Sequence, residues 1–243
     1  MADTTVIREP GCDEFRRPMT ILRVLSIGGR STAIKLASGG VWVLASTPLT
    51  PATKAKLDEL GPVQYIVAPN IFHHLFLGEF KKAYPAAKLL APEGTIARAD
   101  KALVFDGVWG RESEPDPKFG FEDEITACYF SGSKNKDVAF FHPASKTIIE
   151  ADLIFNLPCT EQYSKTTSSG RIPLPGLGRV TPSSWLHSKI SASMGVDKAA
   201  MARDAATVAE WDAARLVPCH GDVIETGAKE AWRAAYKAYL PPA

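Results

Sequence analysis

The sequence predicts an α/β protein with four layers, an αβ/βα sandwich in which two sheets pack between two helical layers. Strand patterns alternate with helix patterns through the first half of the chain, and a second group of strands and helices follows after residue 125. Each half carries polar residues at the end of a strand. A content of 45% hydrophobic and 23% charged residues is typical of a chain with a buried core, which excludes disordered and collagen-like classes.

Residues 1–18 are polar and lack a helix or strand period, so we expect an N-terminal arm followed by one domain over residues 19–243. In the first half, short apolar or β-branched runs predict strands over Thr20–Ser26, Ser31–Leu36, Val41–Ala45, Val63–Ala68 and Ala87–Ala91. Helical spacing and capping residues predict helices over Pro51–Leu60, over Leu77–Tyr84 and from Pro92.

The second half repeats this organisation. Strands are expected over Thr126–Phe130, Asp137–His142, Lys146–Ala151 and Arg215–Val217, and helices over Lys198–Asp212 and Ala228–Tyr239. We expect His142 to lie exposed in a hairpin turn. The stretch from Asn156 to Trp185 is rich in Gly, Pro and Ser without a period, which indicates a functional flap, with Ser168–Gly178 at its centre.

Charge and cysteine content narrow the function classes. The formal net charge is +1, so the chain lacks the field that would attract nucleic acid or an anionic membrane. The four cysteines have no paired spacing, which favours a reducing compartment over a disulfide framework or a zinc ribbon. The first 18 residues mix acids with bases and lack an apolar run, so we expect no signal peptide and a cytoplasmic protein.

Four short motifs follow predicted strands, and they carry a resemblance. They are Ala45-Ser46-Thr47, Asn70-Ile71-Phe72-His73-His74-Leu75, Ala151-Asp152 and Cys219-His220-Gly221-Asp222. From Met19 onward the chain resembles the metallo-β-lactamase fold, as a divergent branch with a degenerate metal-binding motif. In that superfamily the corresponding loops carry Asp-Thr-Gly, His-x-His-x-Asp-His, Gly-Asp and Gly-His-Gly.

The resemblance implies a metal site with several imidazoles and a bridging carboxylate, but fewer ligands remain here. If Asn70 replaces the first histidine of the family motif, only His74 falls on a ligand position, whereas a shift of one residue would use His73. Asp152 and His220 occupy the family's carboxylate and last-histidine positions. We therefore expect one divalent ion at most, zinc by its ligands, held by His73 or His74 with Asp152 and His220; a site without metal stays open.

The positions of several polar residues near strand ends suggest catalytic and substrate-binding roles. Asp152 and His220 are predicted to be catalytic, with Asp222 as a base or as a group that orients an imidazole. Asn70, His187 and Trp185 are candidates for substrate binding. Cys219 is expected to be a buried thiol, because adjacent strand residues point to opposite faces.

The resemblance implies a hydrolase with a small-molecule substrate, a small organic ester, a lactone or a related compound, using water activated by one metal or by the His220/Asp152 pair. Two alternatives remain open from the sequence. One is a metal-free protein of the same fold that binds a ligand or partner without turnover. The other is a lyase or isomerase of secondary metabolism that uses His and Asp for proton transfer.

Overall fold

The structure is a computed structural model that describes residues 16–17, 19–21, 25–164, 166–167, 170–171 and 179–241. Most of the expected N-terminal arm lies outside these residues, as does most of the flap centre, Ser168–Gly178. None of the helices in the described ranges is long and apolar enough to cross a membrane.

Strands and helices alternate as expected over most of the chain. The strands are β1 (Arg16–Arg17), β2 (Thr20–Ile21), β3 (Leu25–Ser26), β4 (Gly29–Arg30), β5 (Thr32–Lys35), β6 (Val41–Leu44), β7 (Val63–Val67), β8 (Lys88–Pro92), β9 (Gly107–Trp109), β10 (Thr126–Tyr129), β11 (Val138–His142), β12 (Thr147–Glu150) and β13 (Arg215–Pro218). The helices are α1 (Pro51–Leu60), α2 (Leu77–Ala83), α3 (Glu93–Ile96), α4 (Trp185–Met194), α5 (Lys198–Ala209) and α6 (Ala228–Ala235).

Two larger sheets form the centre of the molecule. The first has the order β5-β6-β7-β8-β9, in which β5 and β6 are antiparallel and the remaining pairs are parallel. The second has the order β10-β11-β12-β13, in which only the β12–β13 pair is parallel. Parallel pairing therefore joins β6 to β7 and β12 to β13. In a parallel pair the carboxyl ends of both strands lie at the same edge of the sheet, so the loops that follow them lie close together.

Side-chain alternation along the strands builds the four layers. Trp42 and Phe140 lie in the cluster between the two sheets, where their ring centroids are 4.9 Å apart. Val43 points the other way, into the cluster shared with α1 and α2, and Phe141 points into the cluster shared with α5 and α6. The order is helix, sheet, sheet, helix, which confirms the predicted sandwich.

One local expectation is wrong, and two elements were not predicted. His142 is not exposed in a turn: it ends β11, is fully buried, and its Nδ1 lies 2.8 Å from Ser145 Oγ. Strand β9 was not predicted, since three residues give too short a pattern to recognise. Helix α4 starts at Trp185, where the flap was expected to end, because the Ser184 hydroxyl accepts a hydrogen bond from His187 N and caps it.

Candidate active site

The four motifs singled out in the sequence meet where the strands end. Ser46 follows β6, His73 lies in the loop after β7, Asp152 follows β12, and His220 follows β13. Gly221 makes this meeting possible, because it has φ +105° and a Cβ there would lie 2.3 Å from Asn156 O. Only glycine lets the segment after β12 approach the residue next to His220 this closely.

One carboxylate oxygen forms the centre of the cluster. Asp152 Oδ1 lies 3.1 Å from His220 Nε2 and 3.4 Å from His73 Nε2. All three side chains are largely buried, with exposed fractions between 4% and 12%. The structure therefore brings together the predicted trio of Asp152, His220 and one of the two adjacent histidines, and that histidine is His73.

The second oxygen of Asp152 is fixed by two amides. Asn70 Nδ2 donates to Asp152 Oδ2 at 2.8 Å, and Asn135 Nδ2 donates to the same oxygen at 3.1 Å. The Asn70 amide also donates to Asp137 Oδ1 at 2.8 Å, and its own oxygen accepts from His73 N at 3.1 Å. Asn70 is fully buried, and its hydrogen bonds position Asp152 and His73.

The outer nitrogens of both imidazoles are also engaged. His220 Nδ1 donates to Gly28 O at 2.7 Å, and His73 Nδ1 lies 2.9 Å from Ser46 Oγ. A neutral imidazole carries one N–H, so His220 needs a second proton, or a cation, at Nε2 where it faces Asp152. The Phe155 ring stacks on His220 with 11° between their planes and 5.6 Å between centroids, which fixes the ring.

Cys219 is a member of the cluster that sequence reasoning missed. Its Sγ lies 3.9 Å from His73 Nδ1, and its thiol donates to Arg30 O at 3.2 Å. The alternation argument failed because β13 ends at Pro218, so Cys219 and His220 lie beyond the regular strand. Its place next to His220 in the sequence was the available signal. Cys219 is buried, as predicted, but at the centre of the site.

Mutual charge stabilisation shifts the pKa values of the cluster. Burial disfavours charge on His73 and His220, but the charges of Cys219 and Asp152 outweigh it and raise the pKa of both imidazoles. Burial would raise the pKa of Asp152, yet His73 and His220 hold it well below its usual range. The same imidazoles lower the pKa of the Cys219 thiol to about 6, against the effect of burial.

The donor set has the composition of a site for one divalent metal ion. Ligand atoms of His73, Cys219 and His220 all lie within 4.8 Å of one another, and thiolate with imidazole is a combination that zinc prefers. The part of the chain that the structure describes offers no second, separate group of this kind.

The charge balance of the cluster is also compatible with one divalent ion. With both imidazoles charged and with Asp152 and Cys219 ionised, the four groups sum to zero. One divalent ion with neutral imidazoles gives the same sum, so the ion would replace two protons without adding net charge to a buried site.

Two residues predicted for the site lie elsewhere. His74 is half-buried, its pKa is lowered by burial and by the Arg98 charge, and it is not a member of the group formed by His73, Cys219 and His220. Asp222 accepts hydrogen bonds from the Thr160 hydroxyl and, at 2.7 Å, from Glu161 N. Its carboxylate fixes the loop after β12 and does not orient an imidazole.

The predicted substrate-binding pair on α4 also has other roles. His187 is buried, its Nε2 accepts from Phe155 N at 3.0 Å, and burial lowers its pKa to about 4. It therefore supports the ring that stacks on His220. Trp185 is exposed at the start of α4 and does not line the cavity above the site.

The cluster forms part of the floor of a cavity of about 650 Å³, a size typical of small-molecule sites. The polar side chains of this floor come from Ser46, Thr47, His73, Asn135, Asp152 and His220. The walls are mainly apolar and come from Met19, Ile27, Pro48, Phe72, Leu75, Phe76, Phe155, Ile190 and Met194.

Solved structures share this fold at low sequence identity. A metallo-β-lactamase from Hirschia baltica is 12% identical with a TM-score of 0.56, over 94% of this chain and 93% of that one. The metallo-β-lactamase FIM-1 from Pseudomonas aeruginosa, solved in a mono-zinc form, is 12% identical with a TM-score of 0.56, over 93% and 91%. The metal-soaked Flv1 flavodiiron core from Synechocystis sp. PCC6803 is 12% identical with a TM-score of 0.58, over 88% of this chain and 53% of that one.

The fold is therefore that of the metallo-β-lactamases, in a divergent form. Among curated proteins none matches the sequence. Residues 15–169, which include Asn70, His73 and Asp152 but not His220, match the family described as "Domain of unknown function (DUF4336)". This match spans more than half of the chain, and the protein belongs to the DUF4336 family.

Proposed function

We propose that this protein hydrolyses a small organic ester or lactone, with water activated at a single divalent metal ion. The observation that carries the proposal is the grouping of ligand atoms of His73, Cys219 and His220 within 4.8 Å of one another, beside Asp152 and next to a partly open cavity. Three protein ligands with one open position describe a catalytic zinc site.

In this proposal His73, Cys219 and His220 hold the ion. Zinc supplies Lewis-acid chemistry and lowers the pKa of a bound water towards neutrality. Asp152 would accept a hydrogen bond from the attacking water at Oδ1, the oxygen that faces His73 and His220. Asn70 and Asn135 fix this carboxylate through Oδ2, so its orientation does not depend on substrate.

Activation of water by the His220/Asp152 pair alone has less support. A general base needs an unprotonated nitrogen within hydrogen-bond reach of the water. His220 Nδ1 is bound to Gly28 O, and Nε2 faces Asp152. Without a metal, the ring has no nitrogen left for this task.

A metal-free binding protein is the second candidate. The observation that favours it is that every ring nitrogen of His73 and His220 already has a partner within the protein. Metal content separates the two candidates directly.

The test uses the adjacent histidines as a matched pair. Elemental analysis of the purified wild type is expected to find one zinc ion per chain, and p-nitrophenyl acetate is expected to be hydrolysed. His73→Ala should lose the ion and about 100-fold or more in kcat/KM, whereas His74→Ala should keep both. His73→Gln, which keeps a polar group in place, serves as a second variant if His73→Ala fails to fold.

Two results would contradict the proposal. Two tightly held ions per chain would show that the site holds more ligands than we assign. Absence of metal together with absence of hydrolysis would favour the metal-free binding protein.

We also propose a cytoplasmic location. Cys128, Cys159 and Cys219 are free thiols and all three are buried, as suits a reducing compartment.

A further inference from the structure

The walls of the cavity above the site are mainly apolar. Phe72, Leu75 and Phe76 line it from the loop after β7, and Ile190 and Met194 line it from α4. The last two are four residues apart, so they lie on the same face of the helix. Two apolar surfaces from separate elements thus border the space through which a substrate would reach Asp152.

Part of this apolar surface is exposed to water. Leu75 is 71% exposed and Phe72 is 49% exposed, whereas most large apolar side chains in the described residues are buried. Apolar side chains at a cavity mouth gain about 25 cal/mol for each Å² of surface that a ligand removes from water. This surface favours a ligand with an apolar group that reaches the mouth.

No lysine or arginine of the described residues lines the cavity. The guanidinium group of Arg98 lies against the Phe72 ring at 4.8 Å, and the buried Arg30 binds Glu161 at 2.7 Å. Recognition of a carboxylate or phosphate usually needs such a cation. The cluster with one divalent ion has no net charge, so it supplies no excess positive charge for an anion.

We infer that the substrate is an uncharged ester or lactone with a lipophilic alkyl or aryl acyl group. This inference rests on the proposed function and names its substrate class. The acyl group would lie between the Phe72–Phe76 loop and α4, and its carbonyl would face His73, Asp152 and His220. Met194 suits such a wall, because its flexible side chain adapts to ligands of different shape.

The test has a turnover arm and a binding arm. In the first, kcat/KM for p-nitrophenyl octanoate should exceed that for p-nitrophenyl acetate about tenfold or more. The mono-p-nitrophenyl ester of octanedioic acid, which has the same chain length and a terminal carboxylate, should lose this gain.

The binding arm needs no turnover. Octanamide, an uncharged compound that resists hydrolysis, should bind the wild type by calorimetry. Leu75→Asp should weaken this binding about tenfold or more, which corresponds to the burial of one leucine. Val104→Asp is the matched control: Val104 is 75% exposed but lies outside the cavity, so binding should not change.

The outcomes separate the two proposals. Octanamide binding that depends on Leu75, without hydrolysis of any ester, would refute the proposed function and leave the lipophilic site standing. An acetate ester hydrolysed as well as the octanoate, equal turnover of the carboxylate-ended ester, or octanamide binding that is absent or unaffected by Leu75→Asp would each overturn the lipophilic substrate class.

Discussion

Protonation of His187 should destabilise the folded protein. The imidazole is buried, and its Nε2 accepts a hydrogen bond from Phe155 N at 3.0 Å, which only an unprotonated nitrogen can do. Burial lowers its pKa from 6.5 to about 4. The unfolded chain therefore binds a proton more readily than the folded one, so stability is complete above pH 6.5 and falls as the pH drops towards 4.

The magnitude follows from the two pKa values. The difference between a pKa of 6.5 and one of about 4 corresponds to about 3 kcal/mol once the pH lies below both values. Between pH 7.5 and pH 5.0 the contribution of His187 is about 2 kcal/mol, because the folded form is still largely unprotonated at pH 5.0.

Urea unfolding at these two pH values measures the effect. His187→Gln keeps an acceptor near Phe155 N but does not titrate, so its stability should change by about 2 kcal/mol less than that of the wild type between pH 7.5 and 5.0. His74→Gln is the control at a half-buried position, and it should reduce the difference in unfolding free energy between the two pH values much less than His187→Gln does. Equal pH dependence in the wild type and His187→Gln would refute the reasoning.

Three further stability predictions come from single contacts. Trp232→Ala should cost about 3–5 kcal/mol in urea unfolding, because the indole is fully buried and its N–H donates to Ala205 O at 3.0 Å; a loss below 1 kcal/mol would mean that the site collapses freely. Asp197→Ala should cost about 1 kcal/mol, since the carboxylate caps α5, and an unchanged melting temperature would contradict this. Glu161→Gln should cost about 1–3 kcal/mol, because it removes the negative charge that lies 2.7 Å from the guanidinium group of the buried Arg30; equal urea midpoints of variant and wild type would speak against it.

The choice between the adjacent histidines could not be made from sequence. Both follow Asn70 in an irregular loop, where no period fixes the direction of a side chain. The choice depends on the Asn70 side chain, whose oxygen accepts from His73 N while its amide binds Asp152, 82 residues further along the chain. A contact between residues so far apart in the chain does not affect the local sequence pattern.

The misplaced site residues have the same explanation. His187 and Asp222 looked like site residues because each is a titratable group near a strand end or within a Gly/Pro-rich segment. Their partners are backbone N–H groups of residues 155 and 161, which lie 32 and 61 residues away in the chain. Cys219 was judged by strand alternation, which ends with β13 at Pro218.

The sequence by itself determined the layered α/β fold and the strand ends that carry the site. Those features depend on hydrophobic period and on caps such as Thr50 at the start of α1, which are local properties of the chain. Tertiary structure alone decided that His73 rather than His74 faces Asp152, that Cys219 joins the cluster, and that an apolar cavity without lysine or arginine lies above it in the described residues. These three features depend on side chains that come from segments far apart in the chain. Hydrogen bonds and packing between the layers bring those side chains together, and the order of neighbouring residues does not encode such contacts.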